Sequence, residues 1–188
     1  MDVAEASFQQ DVVERSRDVP VVVDFWAAWC GPCHALAPVL EREAAAREGK
    51  VALAKVDVDA NPGLGQRFDV RGIPAVKAFR NGHVVDEFVG VRPPQFVADF
   101  LDGLTGPTDA ERLLEELQAE GELPDVVAAL DAGDHEQALD RLLAEAETAD
   151  AAGKDRVRRL MVALFADLGP EHPLSLCYRR RLASLLFY

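Results

Sequence analysis

Residues 21–40 read VVVDFWAAWCGPCHALAPVL, and in them a β-branched run leads directly into a cysteine pair and a helical pattern. The run Val21 to Phe25 is typical of a buried strand. Cys30 and Cys33 follow at the point where the helix is expected to begin. Backbone N–H groups at a helix start have no helical partner and the helix dipole is positive there, which favours a thiolate at Cys30.

The residues around Cys30 suit exchange between a dithiol and a disulfide. Cys33 lies one helical turn further on and is close enough to attack a mixed disulfide formed at Cys30. Gly31 and Pro32 keep the connection tight, and Pro32 is tolerated because first-turn N–H groups have no helical partner. Asp24 is a carboxylate in an apolar strand, so its pKa is expected to rise, and it is a candidate proton acceptor for Cys33.

The first half of the chain alternates strand-like and helical patterns. Asn81-Gly82 separates two alternating runs and predicts a hairpin, because both central residues of that turn need positive φ. The order β-α-β-β-α behind a helix at Ser7–Arg15 predicts a mixed sheet with helices on both faces. The strand-like runs are Val19–Trp26, Val51–Asp57, Ala75–Arg80 and His83–Val89, and the helical patterns include Pro38–Arg47 and Asn61–Phe68.

The strand patterns stop near Pro107, and apolar residues then recur at helical spacing. The spacing predicts amphipathic helices of about 10–18 residues, joined by short turns at residues 132–134 and 168–170. Residues 130–143 resemble one tetratricopeptide-type helix pair. The predicted fold is therefore α/β, with a mixed sheet and flanking helices at residues 1–104, followed by an all-α tetratricopeptide-like helical domain at 105–188.

Cys-Gly-Pro-Cys at residues 30–33 occurs together with Asp24, Lys55, Pro74 and Gly90. Through these residues the chain resembles the thioredoxin family over about residues 7–103, which implies a thioredoxin-like fold for the first domain. The resemblance implies that Asp24 manages the proton of the second cysteine and that Lys55 lies near it. Residues 2–5 are a poor version of the family's first strand, which predicts a frayed sheet edge.

The same resemblance implies a substrate site beside the cysteines. Ile73-Pro74 corresponds to the family's cis-proline, where an extended substrate strand pairs with the backbone, and Gly90 corresponds to the glycine that leaves room for it. Trp29 is expected to shield the thiolate and to offer a flat apolar contact, as part of a substrate-binding set with Gly31 and Pro32.

Each of these residues also has a purely structural interpretation. Asp24 is alternatively a buried carboxylate without a catalytic role, Lys55 a solvated strand-edge lysine, Trp29 ordinary packing and Pro74 a trans turn residue. Cys177 lies between Leu174 and Tyr178, and its position predicts an inert buried thiol.

Residues 30–34 also spell C-x-x-C-H, the haem-attachment signature. The start of the chain shows no export signal, and the two methionines, Met1 and Met161, offer no evident second iron ligand. A closed zinc site needs four N or S ligands, and besides His34 the nearest histidine is His83, without a second cysteine pair. We therefore expect no metal and no cofactor.

The charge and composition of the chain disfavour some classes of binding partner and cellular compartment. The net charge is −13, which disfavours nucleic acid, and residues 107–150 contain 2 basic and 14 acidic residues. No apolar stretch approaches the ~18 residues of a membrane span. Three cysteines are too few for a disulfide scaffold and suit a reducing compartment. A cytoplasmic protein without nucleic-acid or membrane partners is predicted.

A thioredoxin-like domain followed by tetratricopeptide-like helices resembles the chaperedoxins. That resemblance implies a redox-active holdase that binds unfolded or oxidised client proteins, protects them from aggregation and cysteine over-oxidation, and hands them to chaperonin and Hsp70 chaperones. A thioredoxin reductase is a further expected partner. The alternative is a plain disulfide reductase whose helices serve dimerisation or stability. The end of the chain, residues 178–188, is either a docking element or a helix that packs its leucines into the domain.

Overall fold

The computed structural model describes residues 1–186, with side chains up to Leu185. The chain forms two compact units, Met1–Gly106 and Pro107–Tyr188. The sequence predicts the division after residue 104, whereas the last helix of the first unit continues to Thr105.

The first unit is built on one mixed sheet with the strand order β2-β1-β3-β4. β1 pairs in parallel with β2 and antiparallel with β3, and β3 pairs antiparallel with β4. The strands are β1 Val21–Trp26, β2 Ala52–Asp57, β3 Ala75–Arg80 and β4 His83–Val89. The helices of this unit are α1 Glu5–Phe8, α2 Gly31–Ala45, α3 Pro62–Arg67 and α4 Pro94–Thr105.

Helices cover both faces of the sheet, as the sequence predicts. On one face, side chains of α1 and α3, among them Phe8 and Leu64, pack on Val23 and Phe25 of β1. On the other face, α2 and α4 pack on the sheet through a second apolar cluster. β1 is therefore buried from both sides. This packing fixes the position of the segment between β1 and α2 at the end of the sheet.

The hairpin and the frayed edge are both present. Asn81 and Gly82 have φ values of +54° and +86° between β3 and β4, which agrees with the turn that Asn-Gly favours. The family's first strand is reduced to a single bridge between Asp2 and Lys55. α3, between β2 and β3, lies within the helical pattern predicted at Asn61–Phe68, although the order β-α-β-β-α does not count it.

The N-terminal helix differs from the prediction. Instead of one helix over Ser7–Arg15, α1 passes into a π-helical segment at Gln9–Glu14 and a 3₁₀ turn at Arg15–Arg17. The N–H groups of Asp18 and Val19 both bind the carbonyl of Arg15. β1 therefore begins at Val21, two residues later than predicted.

The second unit is helical, as predicted. Its helices are α5 Asp109–Glu120, α6 Pro124–Asp131, α7 His135–Thr148, α8 Ala151–Leu168 and α9 Pro173–Leu186. α7 lies against α6, α8 and α9, and Leu139 and Leu142 on it are fully buried. α6 has only 8 residues, shorter than expected, because residues 132–134 turn the chain where Gly133 has a φ of +72°. In the described part of the chain, no helix is long and apolar enough to cross a membrane.

The α6–α7 pair offers a test of local stability. Asp134 caps α7 by accepting a hydrogen bond from the backbone N–H of Gln137, at 3.0 Å. We expect Asp134→Ala to destabilise the helical unit by about 1 kcal/mol, because an N-terminal N–H loses its partner. Urea denaturation followed by circular dichroism measures the loss. Gln137→Ala, which keeps the capped N–H, is the control, and equal midpoints for the two variants would contradict the capping role.

The described part of the chain's end is packed into the helical core. Tyr178 and Leu182 on α9 are buried, and Leu185 packs against the same core. The Arg181 guanidinium binds Asp140 on α7 at 2.8 Å. Phe187 and Tyr188 lie outside the described residues, so a docking role for residues 178–188 stays a prediction.

Candidate active site

The cysteine pair lies where β1 ends and α2 begins. Cys30 is the residue before the first turn of α2, and Cys30 and Cys33 form a disulfide with an S–S distance of 2.07 Å. The backbone N–H of Cys33 points at the Cys30 sulfur, at 3.2 Å. Gly31 and Pro32 form the first turn between them. The start of α2 therefore directs an N–H dipole at the sulfur that is expected to carry the negative charge.

Both cysteines are buried, and an exposed tryptophan lies next to them. Cys33 is 1% exposed and Cys30 3%, and both pack with Ala27 and Ile73 in a small apolar cluster. Trp29 is 72% exposed, and its indole N–H donates to an Asp59 carboxylate oxygen at 2.8 Å. This bond fixes the ring at the surface next to Cys30, so the flat contact predicted for Trp29 is available from solvent.

The proline segment lies on the same side of the unit. The Ile73–Pro74 peptide bond is cis, in agreement with the correspondence drawn from the sequence. The Pro74 carbonyl accepts from the N–H of Gly90 at 2.8 Å. Gly90 has a φ of +84°, and a Cβ built there would meet nothing within 4 Å. The backbone conformation rather than the lack of space within this chain therefore favours glycine at this position.

A cavity of about 180 Å³ lies next to Cys33. Asp24 in this cavity is 1% exposed, and its Oδ1 has no hydrogen-bond partner among the described residues. Burial raises the pKa of Asp24 to about 6, with Lys55 acting to lower it and Glu41 acting to raise it. The lining is formed by Asp24, Trp26, Cys33, His34, Ala37 and Lys55. The structure thus brings Asp24, Cys33 and Lys55 around one space.

Glu41 is a residue that the sequence interpretation missed. It lies on α2 and forms an ion pair with the Lys55 ammonium. Cys33, Ala37 and Glu41 are spaced four residues apart, which places them on one face of the helix. That spacing was a signal in the sequence, although it does not show that Lys55 of β2 lies opposite.

His34 also lines the cavity. Its Nε2 lies 2.9 Å from the carbonyl oxygen of Ala28, and its ring meets Trp26 edge to face with centroids 6.2 Å apart. Within residues 1–186, no three His, Cys, Asp or Glu side chains converge in a way that could hold a metal ion.

Comparisons with known proteins agree with this geometry. The thioredoxin family profile matches residues 1–103. The chain belongs to the thioredoxin family. A second profile, tetratricopeptide repeat, matches residues 112–187. This thioredoxin-family chain therefore consists of a thioredoxin domain and tetratricopeptide-like helices, as predicted.

Individual thioredoxins match about half of this chain. Thioredoxin 1 of Nostoc sp. is 41% identical over 100 residues, which are 53% of this chain and 92% of that protein. Mitochondrial thioredoxin of Bos taurus is 46% identical over 99 residues, 53% of this chain and 58% of the bovine protein. The chloroplastic M-type thioredoxin of Spinacia oleracea is 38% identical over 106 residues, again 58% of its length. A Cys-x-x-Cys pair in such a domain is the centre of a thiol–disulfide oxidoreductase.

Cys177 corrects one prediction. The sequence predicts a buried thiol, whereas Cys177 is an exposed free cysteine on α9. Among the described side chains of this helix, the buried ones are Ser175, Tyr178 and Leu182. Their spacing of three and four residues defines the packed face, and Cys177 lies beside it. Because one of these buried positions is the polar Ser175, the hydrophobicity pattern alone does not identify the packed face of the helix.

The exposure of Cys177 is directly testable. We expect the folded, oxidised protein to release one equivalent of thionitrobenzoate from Ellman's reagent, because Cys177 is its free cysteine. Cys177→Ser should release none. A wild-type protein that reacts only after addition of denaturant would show that this thiol is buried.

Proposed function

We propose that this protein is a cytoplasmic protein-disulfide reductase joined to a protein-binding helical unit, and that it acts as a redox-active holdase of the chaperedoxin type. The observation that carries the reductase part is the Cys30–Cys33 pair at the start of α2, with Cys33 and the buried Asp24 lining one cavity.

The reductase reaction uses Cys30 and Cys33 in turn. The Cys30 thiolate attacks a substrate disulfide, forms a mixed disulfide and releases the first substrate thiolate. Cys33 then gives its proton to Asp24 and attacks the Cys30 sulfur, which releases the second substrate thiolate. Two electrons pass to the substrate, which takes up two protons as its thiols form, and the product is the Cys30–Cys33 disulfide of the structure. A thioredoxin reductase is the proposed source of electrons for the next cycle.

Substrate would be held by the surface around the pair. Trp29 offers an exposed ring, and Ile73 before the cis-proline packs against the cysteine cluster. An extended client segment pairing with the backbone near Pro74 would place its disulfide next to Cys30. Lys55 lies at the cavity rather than on this surface, so we propose it for control of the Asp24 proton.

The helical unit supports the holdase part of the proposal. Tetratricopeptide-like helices are protein-binding elements, and an exposed groove between α5 and α8 has Leu113 and Val162 among its lining residues. Clients would be unfolded or oxidised proteins, with transfer to chaperonin and Hsp70 chaperones. The competing function is a plain reductase whose helices contribute only stability or dimerisation.

An aggregation assay separates the two functions. We expect the full-length Cys30→Ser/Cys33→Ser variant to slow the aggregation of a heat-unfolded, cysteine-free client as well as the wild type does, since client binding is assigned to the helices. Residues 1–106, which correspond to most of a complete thioredoxin, are the control and should give no protection. Equal protection by residues 1–106 and the full chain, or none by either, would contradict the holdase function and leave the plain reductase.

A further inference from the structure

Lys55 lies between two carboxylates of unequal exposure. In the sheet it is directly opposite Asp24, since β1 and β2 pair Asp24 with Lys55. From α2, Glu41 approaches the same ammonium. The Glu41 side chain is 54% exposed, that of Lys55 24%, and Asp24 is 1% exposed. Lys55 therefore has an outer and an inner carboxylate within reach of one flexible side chain.

The ammonium is paired with the outer carboxylate. Glu41 and Lys55 form an ion pair, whereas Asp24 forms none with Lys55 within the described residues. The buried Oδ1 of Asp24 also lacks a hydrogen-bond donor. A buried carboxylate without a partner is costly when ionised, and a lysine brought close to it would stabilise that ionised form.

We propose that Glu41 is a positioning residue of the redox centre, which holds the Lys55 ammonium at the outer edge of the cavity so that Asp24 keeps an unpaired oxygen free to take up the proton of Cys33. Glu41 itself touches neither sulfur nor substrate and acts through Lys55. The inference rests on the proposed function, because it assigns Glu41 to the proton step of that reaction.

The charged groups around Asp24 agree with this assignment. Lys55 and Glu41 are the charges that act on it, in opposite directions. Asp57, on the same face of β2, turns its carboxylate to the N–H groups of Asp59 and Ala60. His34 on α2 is bound to the Ala28 carbonyl. The residue of β3 opposite Asp24 is the apolar Val76, and the side chains that α4 packs into this face are apolar. No other charge on these elements substitutes for Glu41.

Removal of the Glu41 charge should change the protonation of Asp24 in the oxidised protein. We expect Glu41→Gln to release Lys55 toward Asp24 and to lower the midpoint of the Asp24 titration by roughly one pH unit. The side-chain ¹³C carboxyl resonance of Asp24 measures that midpoint by NMR. Glu43→Gln, two residues along the same helix, is the matched control and should leave it unchanged, because Glu43 binds Arg42 and Arg47 instead.

Two further measurements test whether Glu41 acts through Lys55. In a Lys55→Gln background, at least half of the effect of Glu41→Gln should disappear. Independently of that variant's folding, the Lys55 Cε resonance should follow the Asp24 titration in Glu41→Gln and not in the wild type. An unchanged Asp24 midpoint, a shift that persists by more than half without Lys55, or a Lys55 resonance that is alike in both proteins would overturn the proposal.

Failure of this proposal is distinguishable from failure of the proposed function. The NMR midpoint is measured on the disulfide form without substrate, so it does not depend on reductase activity. A protein that reduces no substrate while its Asp24 responds to Glu41 as expected would refute the function alone. An active reductase with an Asp24 that ignores Glu41 would refute the positioning role alone.

Discussion

Cys30→Ser is expected to reduce insulin disulfides no faster than the dithiothreitol background, whereas the wild type should accelerate the reaction severalfold or more. The reason is that Cys30 alone lies at the start of α2 with the Cys33 N–H directed at its sulfur. Serine at this position has no sulfur with which to form the mixed disulfide. Turbidity from the precipitating insulin B chain measures the rate.

Cys33→Ser is the matched variant for this experiment. It keeps the attacking sulfur and loses the resolving one, so it should accumulate a mixed disulfide with the substrate that mass spectrometry detects. Cys30→Ser should form no such adduct through Cys33, which lies within α2 and lines the internal cavity beside Asp24. Trapping by Cys30→Ser and none by Cys33→Ser would reverse the two roles. The test is made in a Cys177→Ser background, since Cys177 is exposed.

Asp24 is expected to destabilise the folded protein at neutral pH. Burial raises its pKa from 3.8 to about 6, so above pH 6 the carboxylate is ionised in both states and is less favourable in the fold. The difference corresponds to about 3 kcal/mol. Because the folded pKa is the higher one, this cost is absent below the unfolded pKa, grows between the two values and is complete above about pH 6.

Asp24→Asn removes that ionisation. We expect the free energy of unfolding of the variant, relative to the wild type, to rise by nearly 3 kcal/mol between about pH 3.5 and about pH 7.5. Urea denaturation of the oxidised proteins at a series of pH values measures it. Asp18→Asn, at an exposed position, is the control and should show a constant difference. A constant difference for Asp24→Asn as well would show that Asp24 titrates as in the unfolded chain.

The elements that local rules specify were predictable. The hairpin was predictable because Asn81 and Gly82 are residue types that favour the positive φ values observed at this turn. The start of α2 was predictable because Pro32, two residues after Cys30, is tolerated in a first helical turn. The position of Asp24 in a β-branched strand was enough to predict a raised pKa. The α6–α7 turn at residue 133 was likewise visible as a glycine between two periodic segments.

What could not be predicted depends on contacts between distant segments. Glu41 pairs with Lys55 only because β2 lies beside α2. No local pattern encodes this contact, which joins residues 14 positions apart. The π-helical segment after α1 likewise has no local signal in the sequence. Cys177 was misplaced because the buried Ser175 conceals the packed face of α9.

The central claim is that the reduced protein carries a reactive thiolate at Cys30. Its most direct test is the rate of iodoacetamide alkylation of Cys30 in the reduced Cys177→Ser protein at pH 7, located by peptide mass spectrometry. The helix start predicts that Cys30 reacts faster than the same cysteine in the urea-unfolded chain, and that its rate reaches a plateau at a pH below the ~8.5 of a free thiol. A folded protein in which Cys30 reacts no faster than in the unfolded chain would contradict the account.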